Sequence, residues 1–193
     1  IGKMASLWTR ICDENNSVES NYGFYLRPQW SWIKEELLRD NDSRRATIVI
    51  NQPYHKIKNS KDYPCTHYIQ FFIRDSKLHM GVNMRSNDLV FGLCNDVFTF
   101  CLFQQLMLNE LKESGLDLEL GSYYHHAGSL HVYERHYGMI ENVSTKTYEA
   151  PEDKFALRDG FTLNNCLSLP STDLTKIEIQ KYVSHATEVL FNG

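Results

Sequence analysis

Val82-Asn83-Met84-Arg85-Ser86-Asn87-Asp88 is followed, after Leu89 and Val90, by Phe91-Gly92-Leu93-Cys94-Asn95-Asp96. Leu78 to Met84 alternates as a strand, and Phe100, Leu106, Leu108 and Leu111 carry helical spacing up to a stop at Gly115. Asn95 or Asp96 is suited to cap that helix. Between an interior strand and an apolar helix, so many polar side chains are costly to bury without partners. The stretch therefore reads as a site and not as a plain loop.

Working outward, Cys65 to Ile73 is apolar on both faces and predicts an interior strand, joined to Leu78–Met84 through a turn at Asp75-Ser76. Ala46 to Ile50 predicts a short buried strand. Pro28, Trp30, Ile33 and Leu37 predict a helix with the proline in its first turn. Ser129 to Tyr133 alternates as a further strand. Strands from distant parts of the chain mixed with helices give an α+β class, and no repeat or linker breaks residues 1–193 into separate domains.

The chain has 193 residues, a formal net charge of −4 and 23% charged residues, ordinary for one soluble domain. That balance argues against a nucleic-acid backbone as partner, since phosphate tracking shows as basic excess. A small anion needs only a local arginine cluster. Cys12, Cys65, Cys94, Cys101 and Cys166 are odd in number, scattered and without a CxxC pair, so a disulfide framework and a zinc ribbon are not indicated. No metal is expected: His125, His126, His131 and His136 cluster in sequence but fit no standard ligand spacing. With no apolar run of bilayer length and no signal peptide at its start, the chain is read as cytoplasmic.

Cys65 follows Tyr63-Pro64 at the edge of a predicted strand, among polar groups, where arginines from elsewhere in the chain could supply the positive field that stabilises a thiolate. Cys101, within an apolar helix, reads as structural. Asp42-Ser43-Arg44-Arg45 places two guanidinium forks beside a serine, suited to phosphate, although a solvated turn has the same composition.

Taken in order, Asp42 to Arg45, Pro64-Cys65, Arg85-Ser86-Asn87-Asp88, Gly92-Leu93 and His131-Val132-Tyr133 resemble the motifs of the thymidylate synthase superfamily. Trp8, Asp13-Glu14-Asn15 and Tyr22-Gly23 match upstream, so the resemblance runs from about Trp8 to His136 and leaves the tail after Glu141 unmatched. It implies a thymidylate synthase-like fold, a mixed sheet packed with helices, and a sheet-mediated homodimer. It implies Cys65 as the nucleophile that adds to carbon 6 of a pyrimidine, with 5,10-methylenetetrahydrofolate as co-substrate. Arg85 and Ser86 match phosphate-binding residues of the same subunit, and Arg44 and Arg45 match the pair that reaches the neighbouring subunit's phosphate. His131 and Tyr133 match the holders of the sugar hydroxyl. Tyr22 matches a tyrosine of the proton-removal network, and Trp8, Asp88 and Gly92 fall on the folate side.

One departure selects a branch. Where thymidylate synthases carry a uracil-reading asparagine, this chain has Asp96. A carboxylate accepts from the amino group of cytosine and from its ring nitrogen once protonated, whereas uracil would set a carbonyl against it. Burying unmatched polar groups costs ~1–3 kcal/mol each. Phage deoxycytidylate hydroxymethylases share this aspartate, and Val82 to Asp88, Asn95-Asp96 and Gly128 to Tyr133 resemble them. The resemblance implies water capture of the one-carbon unit, giving 5-hydroxymethyl-dCMP, a precursor of modified phage DNA. The family's catalytic glutamate lies upstream of the region matching Trp8, so the chain is expected to lack an N-terminal segment. Thymidylate synthase, deoxycytidylate methylase and a non-catalytic nucleotide-binding homologue are the rival readings.

Overall fold

The computed structural model describes residues 10–14, 18–57, 62–147, 156–157 and 159–168. They fall into two compact units. The first comprises the chain up to Asn87 together with Glu119–Ser129, and the second Asp88–Leu118 with the chain from Leu130 onward.

In the first unit, helix α1 (Tyr22–Arg39) begins where the Asn21 side chain accepts the Phe24 N–H at 3.4 Å. The helix therefore starts earlier than expected, and Pro28 lies inside it, exposed, where a missing N–H is tolerated at the solvent side. Leu26, Trp30, Ile33 and Leu37 form its buried stripe.

Strands β1 (Thr47–Val49), β2 (Thr66–Arg74) and β3 (Lys77–Met84) run antiparallel in sequence, and β5 (Glu119–Ala127) joins β3 in parallel, giving the order β1-β2-β3-β5. This is the mixed sheet of the expected α+β class. The β2–β3 turn puts Asp75 and Ser76 at φ 53° and 55°, the left-handed pair that matches strand twist in a two-residue hairpin. β5 was not legible: Leu120, Tyr123 and the histidines gave no clean alternation, because parallel pairing to β3 supplies the order that its own sequence lacks. Gly121 permits the approach, since a Cβ there would lie 2.7 Å from the Leu78 carbonyl oxygen.

One sheet face buries Ile69, Phe71, Ile73, Leu78, Met80, Val82 and Met84. Trp30 of α1 meets Phe71 edge-on at 5.9 Å between ring centroids. On the other face Phe72 stacks on His79 at 5.4 Å and Tyr124 at 6.1 Å, and Tyr124 keeps 54% of its surface in solvent.

In the second unit, α2 (Gly92–Glu113) ends in a Schellman-type cap: Gly115, at φ 98°, donates to the Lys112 carbonyl and Leu116 to that of Leu111. Asn95 and Asp96 stand inside this helix and do not cap it; the start is held by Asp88 instead. The expected strand over 129–133 is reduced to β6 (Leu130–His131), which pairs with β4 (Asn87–Asp88). A 3-10 turn (Glu134–His136) leads into α3 (Tyr137–Ser144), and α4 (Leu163–Ser168) follows. Asn109 of α2 donates to the Phe161 carbonyl at 2.9 Å, and Glu110 accepts the Leu163 N–H at 3.2 Å. These two bonds tie the later chain to α2. Among the described residues no helix is long and apolar enough to cross a membrane.

Candidate active site

Cys65 precedes β2 at a point where the ladder is irregular. Thr66 faces Met84 and Tyr68 faces Asn83, so His67 is the extra residue of a bulge. The His67 carbonyl accepts from both Ile50 and Asn51 N–H groups, which fixes the bulge from the β1 side. Such a kink re-aims the side chains around it. Cys65 itself is half-buried, and its carbonyl accepts the Arg85 N–H at 2.8 Å.

Two sequence-predicted residues converge here. The Tyr22 hydroxyl accepts the Thr66 N–H at 3.2 Å, bringing the start of α1 to the residue after the cysteine. Arg85 donates through Nε to the Pro64 carbonyl and through Nη2 to that of Tyr63, both at 3.2 Å. These bonds hold the guanidinium group along the two residues before Cys65. Gly128 lets the chain pass close, since a Cβ there would sit 3.3 Å from the Arg85 carbonyl oxygen. Ser86, next in sequence, is half-buried.

Behind this turn runs a polar chain that sequence reasoning missed. Buried Asn87 shares an Nδ2–Nε2 contact of 2.9 Å with His125, whose Nδ1 lies 2.6 Å from the Tyr123 hydroxyl. Burial pushes the His125 pKa down, helped by neighbouring His126. Nothing local in the sequence marks this chain, because the sequence of β5 lacks the clean alternation of a strand.

Arg44 and Arg45 lie in the segment that leads into β1. Both are exposed, and Arg45 is engaged by Glu36 of α1 through Nε at 2.9 Å and Nη2 at 3.3 Å. Glu36 was also missed. Its signal was present, as a lone carboxylate on an otherwise apolar helix stripe beside Ile33 and Leu37.

The second unit carries the remaining set. Asp88 accepts the N–H groups of Val90 at 3.2 Å and Phe91 at 3.1 Å at the N-terminus of α2. Burial pushes its pKa up, but the Phe91, Val90 and Gly92 N–H groups and His136 outweigh that and hold it below the ordinary value. Gly92 opens α2, and half-buried Asp96 lies in the second turn. His131 and Tyr133 meet edge-on at 5.1 Å, and the Arg135 guanidinium lies 4.3 Å over the Tyr133 ring. Phe91 packs edge-on against buried His136 at 5.1 Å. Cys101 lies in α2, where burial raises its thiol pKa. Trp8 lies outside the described residues. Among the described residues no group of three or more His, Cys, Asp or Glu could hold a metal ion.

The family model described as thymidylate synthase matches residues 2–189. The chain belongs to the thymidylate synthase family. A deoxycytidylate 5-hydroxymethyltransferase of Enterobacteria phage T4 is 31% identical over 156 residues, covering 73% of this chain and 62% of that protein. A deoxyuridylate hydroxymethyltransferase of Bacillus phage SP01 is 34% identical over 147 residues, covering 71% and 37%. Among solved structures, thermostable thymidylate synthase A from Bacillus subtilis gives a TM-score of 0.65 at 26% identity, covering 78% of this chain and 57% of that one. This family member thus spans about three-fifths of the length of the phage T4 relative.

Proposed function

We propose that this thymidylate synthase family member transfers a one-carbon unit from 5,10-methylenetetrahydrofolate to carbon 5 of dCMP, giving 5-hydroxymethyl-dCMP. The observation that carries the proposal is the bulged turn at Cys65, gripped by Tyr22 on one side and by the Arg85 guanidinium on the other.

In this reading the Cys65 thiolate adds to carbon 6 of the ring, and carbon 5 becomes nucleophilic and attacks the methylene carbon of the folate. One of the two methylene–nitrogen bonds breaks as carbon 5 attacks, and its nitrogen takes a proton. Once the carbon 5 proton has left through the network that includes Tyr22, the second bond breaks, releasing tetrahydrofolate and leaving an exocyclic methylene on carbon 5. Water adds to the exocyclic methylene as the Cys65–carbon 6 bond breaks. Nothing is oxidised or reduced, so tetrahydrofolate departs at its original oxidation level.

Arg85 and Ser86 take the phosphate, and His131 and Tyr133 the sugar hydroxyl. Asp96 reads the base: an acceptor-only side chain suits the cytosine amino group and the protonated ring nitrogen, and that protonation also draws electrons from carbon 6. The relatives named as hydroxymethyltransferases act on dCMP in one case and dUMP in another. Asp96 is the reason to choose dCMP. Asp88, held ionised by three N–H groups, is suited to accept from the folate ring, with Gly92 and Trp8 on the same side of the folate site.

A sheet-to-sheet homodimer belongs to the same proposal. Its support is the outward face of the sheet, where Val49, Tyr68 and Tyr124 are exposed beside the Phe72–His79 stack. Arg44 and Arg45 would then reach the partner's phosphate.

The test is release of the carbon 5 hydrogen from dCMP and from dUMP, with and without methylenetetrahydrofolate. Folate-dependent release from dCMP in preference to dUMP is expected. Preference for dUMP would return the chain to the thymidylate synthase or deoxyuridylate reading, and no release from either would favour a non-catalytic binder.

A further inference from the structure

The last turn of α1 and the segment leading into β1 fold around one carboxylate. Glu36, 5% exposed, accepts from the Ser43 hydroxyl at 2.5 Å and Arg45 Nε at 2.9 Å on Oε1, and from Arg39 Nη2 at 2.6 Å and Arg45 Nη2 at 3.3 Å on Oε2. The Ser43 hydroxyl oxygen in turn accepts the Arg45 N–H at 3.1 Å. With four donors converging, both carboxylate oxygens are fully used.

What matters is which edge of Arg45 is taken. Glu36 binds the Nε/Nη2 edge, leaving the two N–H groups of Nη1 and the outer one of Nη2 on a side chain that is 64% exposed. That end is a fork matched to two phosphate oxygens. A guanidinium on a free side chain must lose its rotamer freedom when it binds; this one has already lost it. Two arginines share the one carboxylate, with Arg44 exposed alongside.

We propose that Glu36 is a positioning residue for phosphate recognition: it clamps one edge of Arg45 so that the opposite edge is preset for the phosphate monoester of the nucleotide. The inference rests on the reading of Arg44 and Arg45 as phosphate-binding. It requires a carboxylate. An amide at position 36 would turn an NH2 group toward guanidinium donors and release the clamp.

The experiment measures binding of dCMP and of deoxycytidine, which lacks the phosphate, to the intact protein and its variants. Arg45→Ala is expected to weaken dCMP about 10–100-fold, the range of a charged hydrogen-bonded pair, with deoxycytidine unchanged. Glu36→Gln is expected to weaken dCMP by about 5–10-fold, also with deoxycytidine unchanged, and to add nothing in the Arg45→Ala background. Should Glu36→Gln not fold, Glu36→Asp, one methylene shorter, gives the same ratio test with a smaller loss. If Arg45→Ala weakens dCMP while Glu36→Gln spares it, or weakens both ligands alike, the positioning role is overturned. If Arg45→Ala spares dCMP, the phosphate reading itself fails and takes the inference with it.

Discussion

The Tyr22 hydroxyl accepts the Thr66 N–H at 3.2 Å, so the first residue of α1 holds the backbone one step beyond Cys65. One hydrogen bond thereby links a helix start to a strand start that lies 44 residues away in sequence. Tyr22→Phe keeps the ring and removes this acceptor, at a stability cost of about 1 kcal/mol. If Tyr22 also serves the proton network, carbon 5 hydrogen release falls by about 100-fold while nucleotide affinity holds. Comparing release rates with equilibrium dCMP binding separates the two effects.

Cys65→Ser should abolish hydrogen release and leave dCMP binding within a factor of about 3, because the hydroxyl occupies the space without supplying a thiolate at neutral pH. Single-turnover release with equilibrium dialysis checks it. Retained release would remove Cys65 from the nucleophile's role.

Asp96→Asn exchanges two acceptors for one acceptor and one donor, the pattern that uracil satisfies. The ratio of dCMP to dUMP turnover is expected to fall by at least about 100-fold, as for other sites built around a buried polar match. Competition between the two nucleotides in one assay reads the ratio directly. An unmoved ratio means the base is read by another residue.

Acid stability offers a check on Glu36 that needs no ligand. Hydrogen bonds from Arg39 and Ser43, then Arg45, lower its pKa from 4.5 to about 2. A carboxyl depressed in the folded state contributes stability that is fully present above 4.5 and lost as pH falls from there toward 2. Urea midpoints measured across that window should decline more steeply for the native protein than for Glu36→Gln. Parallel slopes would mean that the carboxylate is not held as described.

On the sheet's outward face, Tyr124→Glu would set a charge beside the Phe72–His79 stack. If that face joins two copies, the dimer dissociation constant rises by at least about 10-fold. Sedimentation velocity over a dilution series measures it, and an unchanged state would place the interface elsewhere.

Sequence alone determined the parts whose information is local. Apolar runs marked β2 and β3, Asp75-Ser76 marked their hairpin, Gly115 marked the end of α2, and the ordered motifs from Tyr22 to Tyr133 carried the family. Tertiary structure decided what depends on partners distant in the chain. β5 is ordered by parallel pairing to β3, and with it came the Asn87–His125–Tyr123 chain. Glu36 looks like a misplaced charge until Ser43, Arg39 and Arg45 close on it. The start of α2 is a different case: Asp96 reads as a cap from its residue type, but Asp88, two and three residues before Val90 and Phe91, accepts their N–H groups and leaves Asp96 inside the helix. For β5 and Glu36 the physical reason is shared. Periodicity and turn chemistry are written along the chain, whereas the satisfaction of a buried polar group depends on which segments the fold brings within 3 Å or so of it.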